Sequence, residues 1–326
     1  MENDVSRISY VSPLIRGYSS YVDHLVAFNR KIHDEVSQEL PSYFEDFEGD
    51  IAITTTGSDA RLEKGPVSLI EIMLFGKNAI EIQEAHRRLS EYMAHNDNVN
   101  LFDQYVEIKD ISSDPISYYL GGISDRGNTK LTSPNRILDS RLFFSTDEIL
   151  NPTREKFISE TRSSEGKSIL KDIKEKYREH RETSLTGIQD YKRKKLKHFD
   201  LEAGISFYNP EEHIWSFKQG PLRMVQYAIV RDVLKRIRDG TINEDVFFLP
   251  KNTVKKLHTL EVDGRTNVSH GQIEDLSDCY KYFLHQYHLA QFVYRNNGTN
   301  EFGFDVGEVK ERIDCLEKIC SSTIIN

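Results

Sequence analysis

The chain has 326 residues, 38% of them apolar and 29% charged, with a formal net charge of −9. That length holds two or three ordinary domains, and the composition excludes collagen-like, repetitive and low-complexity architectures. The acidic balance gives no global field toward nucleic acid, and no apolar run approaches the roughly 20 residues that cross a bilayer.

In chain order, Met1 to Arg7 lack the basic-then-apolar layout of a signal peptide, so a cytoplasmic protein is expected. Leu25, Phe28, Ile32, Val36 and Leu40 recur at spacings of three and four and predict an amphipathic helix that Pro41 ends. Ile51 to Thr56 is rich in β-branched residues and breaks at Gly57, which predicts a strand closed by a tight turn. Leu69 to Phe75 is a second strand closed by Gly76. A helix carries Ile82, Ala85, Leu89 and Tyr92, and Tyr105 to Ile111 alternate as a third strand. Beyond about residue 150 the strand pattern disappears. Helical periods run over 153–195, 221–238, 251–260, 272–295 and 307–321, clearest in Leu276, Tyr280, Phe283, Tyr287, Ala290 and Tyr294. The expected organisation is α+β: an N-terminal helical segment over 1–45, a small mixed-sheet domain over 46–150 and an all-helical domain over 151–326.

A strand followed by Gly57-Ser58 and a helix start is a phosphate-binding geometry. Glycine admits close backbone approach, the serine hydroxyl donates a hydrogen bond, and helix N-terminal amides face the anion. Glu71 lies fourteen positions beyond Gly57, in the second strand, on the face predicted for Leu69. A carboxylate among Ile70, Ile72, Met73, Leu74 and Phe75 is costly without a cation or hydrogen-bond partners. It reads either as a ligand-site residue or as half of a structural salt bridge with lysine or arginine.

The run Gly57-Ser58-x-x-Arg61-x-Glu63, followed by positions 69 and 71, resembles the motif of bacterial nucleotidyltransferases of the PII-uridylyltransferase type, whose fold is a polymerase-β-like palm. The resemblance implies that Gly57 and Ser58 hold the triphosphate of an NTP substrate. It further implies that an Asp-x-Asp pair and a third carboxylate bind Mg2+ for attack on the α-phosphate with release of pyrophosphate. In this sequence the pair falls on Leu69 and Glu71. Leucine cannot coordinate a metal. The third carboxylate is expected at Glu107, with Asp103 or Asp110 as substitutes. Arg61 and Glu63 match residues beside the turn that organise the loop or contact phosphate, and Arg61 would offset developing charge in a catalytic role. Asp59, in the turn, is a candidate replacement carboxylate. Arg136 to Phe143 is similar to the Asp-x-Arg segment that follows the palm. Phe217 to Arg223 is similar to a later Asp-x-Lys-x-Gly-x-Leu-Arg segment, which adds Lys218 and Arg223 as candidate nucleotide-site residues, although Ser216 stands where that segment carries aspartate.

Two functions from different classes follow. One is an enzyme that transfers an NMP to a protein or small-molecule acceptor; the other is a degenerate nucleotide sensor or protein-interaction module that retains the fold, for which Leu69 speaks. A third and weaker one, an RNA-binding helical module, rests on the basic run Lys192-Arg193-Lys194-Lys195-Leu196-Lys197, which reads first as a solvated helix face. Without a strong basic stripe nucleic acid is not the expected partner. His285 and His288 lie three apart on a helix below Glu274 and Asp278, a metal spacing without a suggestive third ligand, and read as packing residues. Trp215 reads as a domain-packing residue rather than a base stacker. Cys279, Cys315 and Cys320 are odd in number, which argues against a disulfide framework.

Overall fold

In the computed structural model, the described residues are 17–65, 68, 70–76, 78–96, 106–111, 138–146, 150–194, 198–200, 206–208, 215–241, 252–262, 268–297 and 305–324. They divide into two compact units. The first gathers residues of Asp23–Lys167 and Ile237–Asn252; the second gathers those of Pro13–Val22, Ser168–Arg236 and Thr253–Asn326. The sequential boundaries expected at 45/46 and 150/151 do not coincide with these units. Among the described residues, boundaries between the units fall inside the helices Tyr18–Glu39, Ser164–Lys194 and Arg223–Arg238.

The first unit is built on helix α1 (Tyr18–Glu39), which ends where Pro41 enters a 3-10 turn over Leu40–Phe44. Strand β1 (Ile51–Thr55) leads through Gly57 into α2 (Gly57–Ala60), a single turn, and back along β2 (Ile70–Gly76). Helix α3 (Ala79–His95) starts on Asn78, whose side chain accepts the Glu81 amide at 2.9 Å. It returns the chain to β3 (Val106–Ile111), and β4 (Arg141–Ser145) completes the sheet. The order is β3-β2-β1-β4, with β1 antiparallel to both β2 and β4 and β2 parallel to β3. One sheet face packs Ile51, Ile53, Ile70, Ile72 and Leu74 against Val36 and Leu40 from the α1 end and Ile82, Ala85 and Leu89 of α3. Period-two alternation turns Glu71 and Met73 to the opposite face. Helix α4 (Leu150–Arg162) closes this unit, its Phe157 fully buried.

The second unit contains most of α5 (Ser164–Lys194) and α6 (Arg223–Arg238), with α7 (Thr253–Val262), α8 (His270–Asn297) and α9 (Val306–Ile319). Leu276, Tyr280, Phe283, Tyr287 and Ala290 of the predicted α8 stripe are buried; the Tyr294 side chain lies outside the description. The Tyr280 hydroxyl accepts from Gln226 at 3.2 Å and from Thr253 at 3.0 Å, joining three helices through one buried group. The expectation of an all-helical region is corrected here. β5 (His198–Asp200), β6 (Ser206–Tyr208) and β7 (Trp215–Ser216) form a small antiparallel sheet. Strands of three, three and two residues are too short to show a period of two, so the sequence does not mark them as strands. Among the described residues no helix is long and apolar enough to cross a membrane.

Candidate functional site

The end of β1 and the start of β2 meet at the turn. Gly57 has φ +66°, a left-handed conformation that glycine adopts without strain. A Cβ built there would stand 3.4 Å from Glu71 Oε2, so the Glu71 carboxylate faces the turn backbone. The Glu71 carbonyl is fixed as well: it accepts the Thr56 amide at 3.2 Å and the Thr55 hydroxyl at 3.1 Å. The α2 segment is four residues long, so the helix dipole expected behind the turn is reduced to one turn of amides. Ser58 is partly exposed, and its hydroxyl makes no hydrogen bond among the described residues.

Glu71 and Glu107 stand directly opposite each other in the parallel β2/β3 ladder. Like charges on neighbouring strands repel. Lys109, two residues beyond Glu107 and therefore on the same face, meets both: its Nζ lies 3.0 Å from Glu71 Oε1 and 3.0 Å from Glu107 Oε2. The three side chains are 27%, 36% and 28% exposed for Glu71, Glu107 and Lys109. The carboxylate that looked expensive in an apolar strand thus has its cation. Thr56 continues the alternation onto this face; its hydroxyl is buried and has no partner among the described residues. Leu69 and Asp103 lie outside the described residues. Asp110 is turned away, to His86 of α3 at 2.8 Å.

Arg61 and Glu63 are buried. Arg61 Nε donates to Glu63 Oε2 at 2.9 Å and Nη1 to Asp139 Oδ2 at 2.6 Å, with all three side chains less than a tenth exposed. Of the two roles expected for them, organising the loop is the one these contacts serve. The triad also ties residues 138–143 to the turn: Asp139 reaches Arg61, and Arg141 Nε donates to the Ala60 carbonyl at 2.9 Å; residues 136 and 137 lie outside the described residues. Asp59 points into the same scaffold, accepting from Thr55 Oγ1 at 2.5 Å and pairing with Lys64 at 3.8 Å. A cavity of about 20 Å³, the room of a single water, lies between Asn29, His33, Asp59, Lys64 and Phe143. His33 stacks on Phe143 at 4.5 Å, and its Nε2 is buried without a partner among the described residues. Burial holds the His33 pKa down at about 4, and Arg141 adds to the effect.

Lys218 and Arg223 belong to the second unit. Lys218 opens a π-turn (Lys218–Leu222), from which Arg223 starts α6 and donates to Gln226 Oε1 at 3.2 Å. Both belong to the electrostatic surroundings of α8, Lys218 near His288 and Arg223 near Tyr287. His288 Nδ1 pairs with the Tyr21 hydroxyl at 2.7 Å, and Tyr21 lies edge-on to both His285 and His288. Asp278 pairs instead with Arg312 at 2.6 Å. Among the described residues no group of three or more His, Cys, Asp or Glu side chains is arranged to hold a metal ion. Lys192, Arg193 and Lys194 are the last residues of α5; residues 195–197 lie outside the description.

No protein-family model and no curated protein matches this chain. Two side chains of the site were missed at the sequence level, Lys109 and Thr56. The signal for Lys109 was present: it alternates with Glu107 in the same strand, on the face that carries Glu71.

Proposed function

We propose that this chain is a nucleotidyltransferase-like protein whose first unit binds a nucleoside triphosphate at the Gly57-Ser58 turn. One observation carries this reading: the left-handed Gly57 backbone and the Glu71–Glu107 pair converge at the same end of the sheet. The element order supports it, with β1 antiparallel to β2, a helix, and β3 parallel to β2, as does the turn sequence through Glu63. The partly exposed Ser58 hydroxyl is a donor available to phosphate oxygens.

The resemblance also implies a pair of magnesium ions, and the residues do not fit them. Position 69 is leucine, and both acids that the fold brings together are bonded to Lys109. The preferred function is therefore nucleotide sensing by a catalytically degenerate site. A second reading, transfer of an NMP to a protein or small-molecule acceptor with release of pyrophosphate, is favoured by one fact. Glu71 and Glu107 are about a third exposed and stay within reach of a ligand if Lys109 turns aside.

Calorimetric titration of the four NTPs, with and without magnesium, tests the proposal. At least one NTP should bind without magnesium, and Ser58→Ala should weaken it roughly tenfold by removing one hydrogen bond to a charged group. Absence of binding at millimolar nucleotide overturns the proposal. Magnesium-dependent pyrophosphate release in the presence of an acceptor extract decides for the second reading.

A further inference from the structure

We infer that Lys109 is a built-in replacement for a divalent cation: its ammonium holds Glu71 and Glu107 together and keeps the pair closed to metal. The strand register sets these carboxylates side by side, an arrangement that needs positive charge between them. Lys109 supplies that charge from the same face, at 3.0 Å from one oxygen of each acid. A magnesium ion would need oxygen ligands at about 2.0–2.1 Å in near-octahedral array. Among the described residues two carboxylates are offered here, and a doubly charged ion between them would have to displace an ammonium already bonded to both. The tether also favours the lysine, because a cation fixed to the chain does not pay the entropy of capture from solution. Where the nucleotide reading above holds, the triphosphate enters as the metal-free anion and meets Lys109 as a cation already seated at the carboxylates.

Manganese is the probe, followed by electron paramagnetic resonance on the full chain in the absence of nucleotide. Wild-type protein should show no Mn2+ site that depends on Glu71. Lys109→Met should gain one, at least about tenfold tighter than any wild-type binding, as repulsion between the ions is removed. The gain should vanish in Lys109→Met/Glu71→Gln. The melting temperature of Lys109→Met should fall without metal and recover with Mn2+. Wild-type binding of Mn2+ that is lost in Glu71→Gln overturns the inference, and so does a folded Lys109→Met with no gained site. Should Lys109→Met fail to fold, the wild-type and Glu71→Gln titrations still decide. Because no nucleotide is used, a failure of NTP binding leaves this result standing, and metal binding by the wild type leaves the nucleotide reading standing.

Discussion

Asn29 holds the Gly57 turn from outside its own hairpin. Its side-chain amide donates to the Leu62 carbonyl at 3.1 Å and to the Lys64 carbonyl at 3.2 Å. Leu62 needs that support, being a buried non-glycine residue at φ 60°, a conformation that costs about 1–2 kcal/mol for an L-residue. Asn29→Ala leaves two buried carbonyls without this donor and is expected to lower stability by about 1–3 kcal/mol. Urea unfolding measures it, and a loss below about 0.5 kcal/mol would mean that water takes over both bonds. Nothing in the local sequence marks Asn29, which lies on α1 beside an apolar stripe that its own helix does not need it for. Glu71 is the contrasting case. Its need for a partner was legible from its apolar neighbours, whereas the identity of that partner depended on which strand came alongside.

At the scale of elements, β4 shows how a strand can arise from its neighbour. Arg141-Leu-Phe-Phe-Ser145 has neither β-branched residues nor a clean alternation, yet it pairs with β1 across a register shift between Ile53 and Thr54. The Arg61–Glu63–Asp139 triad ties this strand to the turn. Removing one member of a buried ion network strands the others, at a cost of about 3–5 kcal/mol. Asp139→Ala is expected to lose that much in urea unfolding. The loss should shrink markedly in an Arg61→Met background, where the partner to be stranded is already gone. Equal losses in both backgrounds would show that Asp139 acts through something other than Arg61.

For the whole molecule, His33 in the first unit and His288 in the second are buried as neutral rings and make stability sensitive to acid. Burial lowers the His33 pKa to about 4 and the His288 pKa to about 3, from 6.5. Above pH 6.5 the ring is neutral whether the chain is folded or unfolded, and contributes no pH dependence. As pH falls from 6.5 toward these values, the unfolded chain takes up a proton that the folded ring refuses. Stability therefore falls by about 1.4 kcal/mol per pH unit for each histidine. His33→Phe keeps the stack on Phe143 and removes the titration. It is expected to reduce the stability lost between pH 7 and 5 by about 2 kcal/mol, read from urea midpoints followed by probes in each unit, since two units need not unfold together. An unchanged pH slope would mean that His33 is protonated in the fold.

The α+β class, the stripes of α1, α3 and α8, and the bend at Gly57 were determined by the sequence alone, because each depends on spacings of two to four residues or on one residue's backbone freedom. Period-two alternation also assigned Glu71 to the face opposite Ile70 and Ile72. Only the tertiary structure decided that β2 and β3 run parallel in the register that sets Glu71 beside Glu107, that Lys109 closes the pair, and that Arg61 turns inward to Asp139. Those contacts join residues 36, 38 and 78 positions apart. Local periodicity chooses the face on which a side chain stands; the charge it meets there is chosen by the packing of the chain.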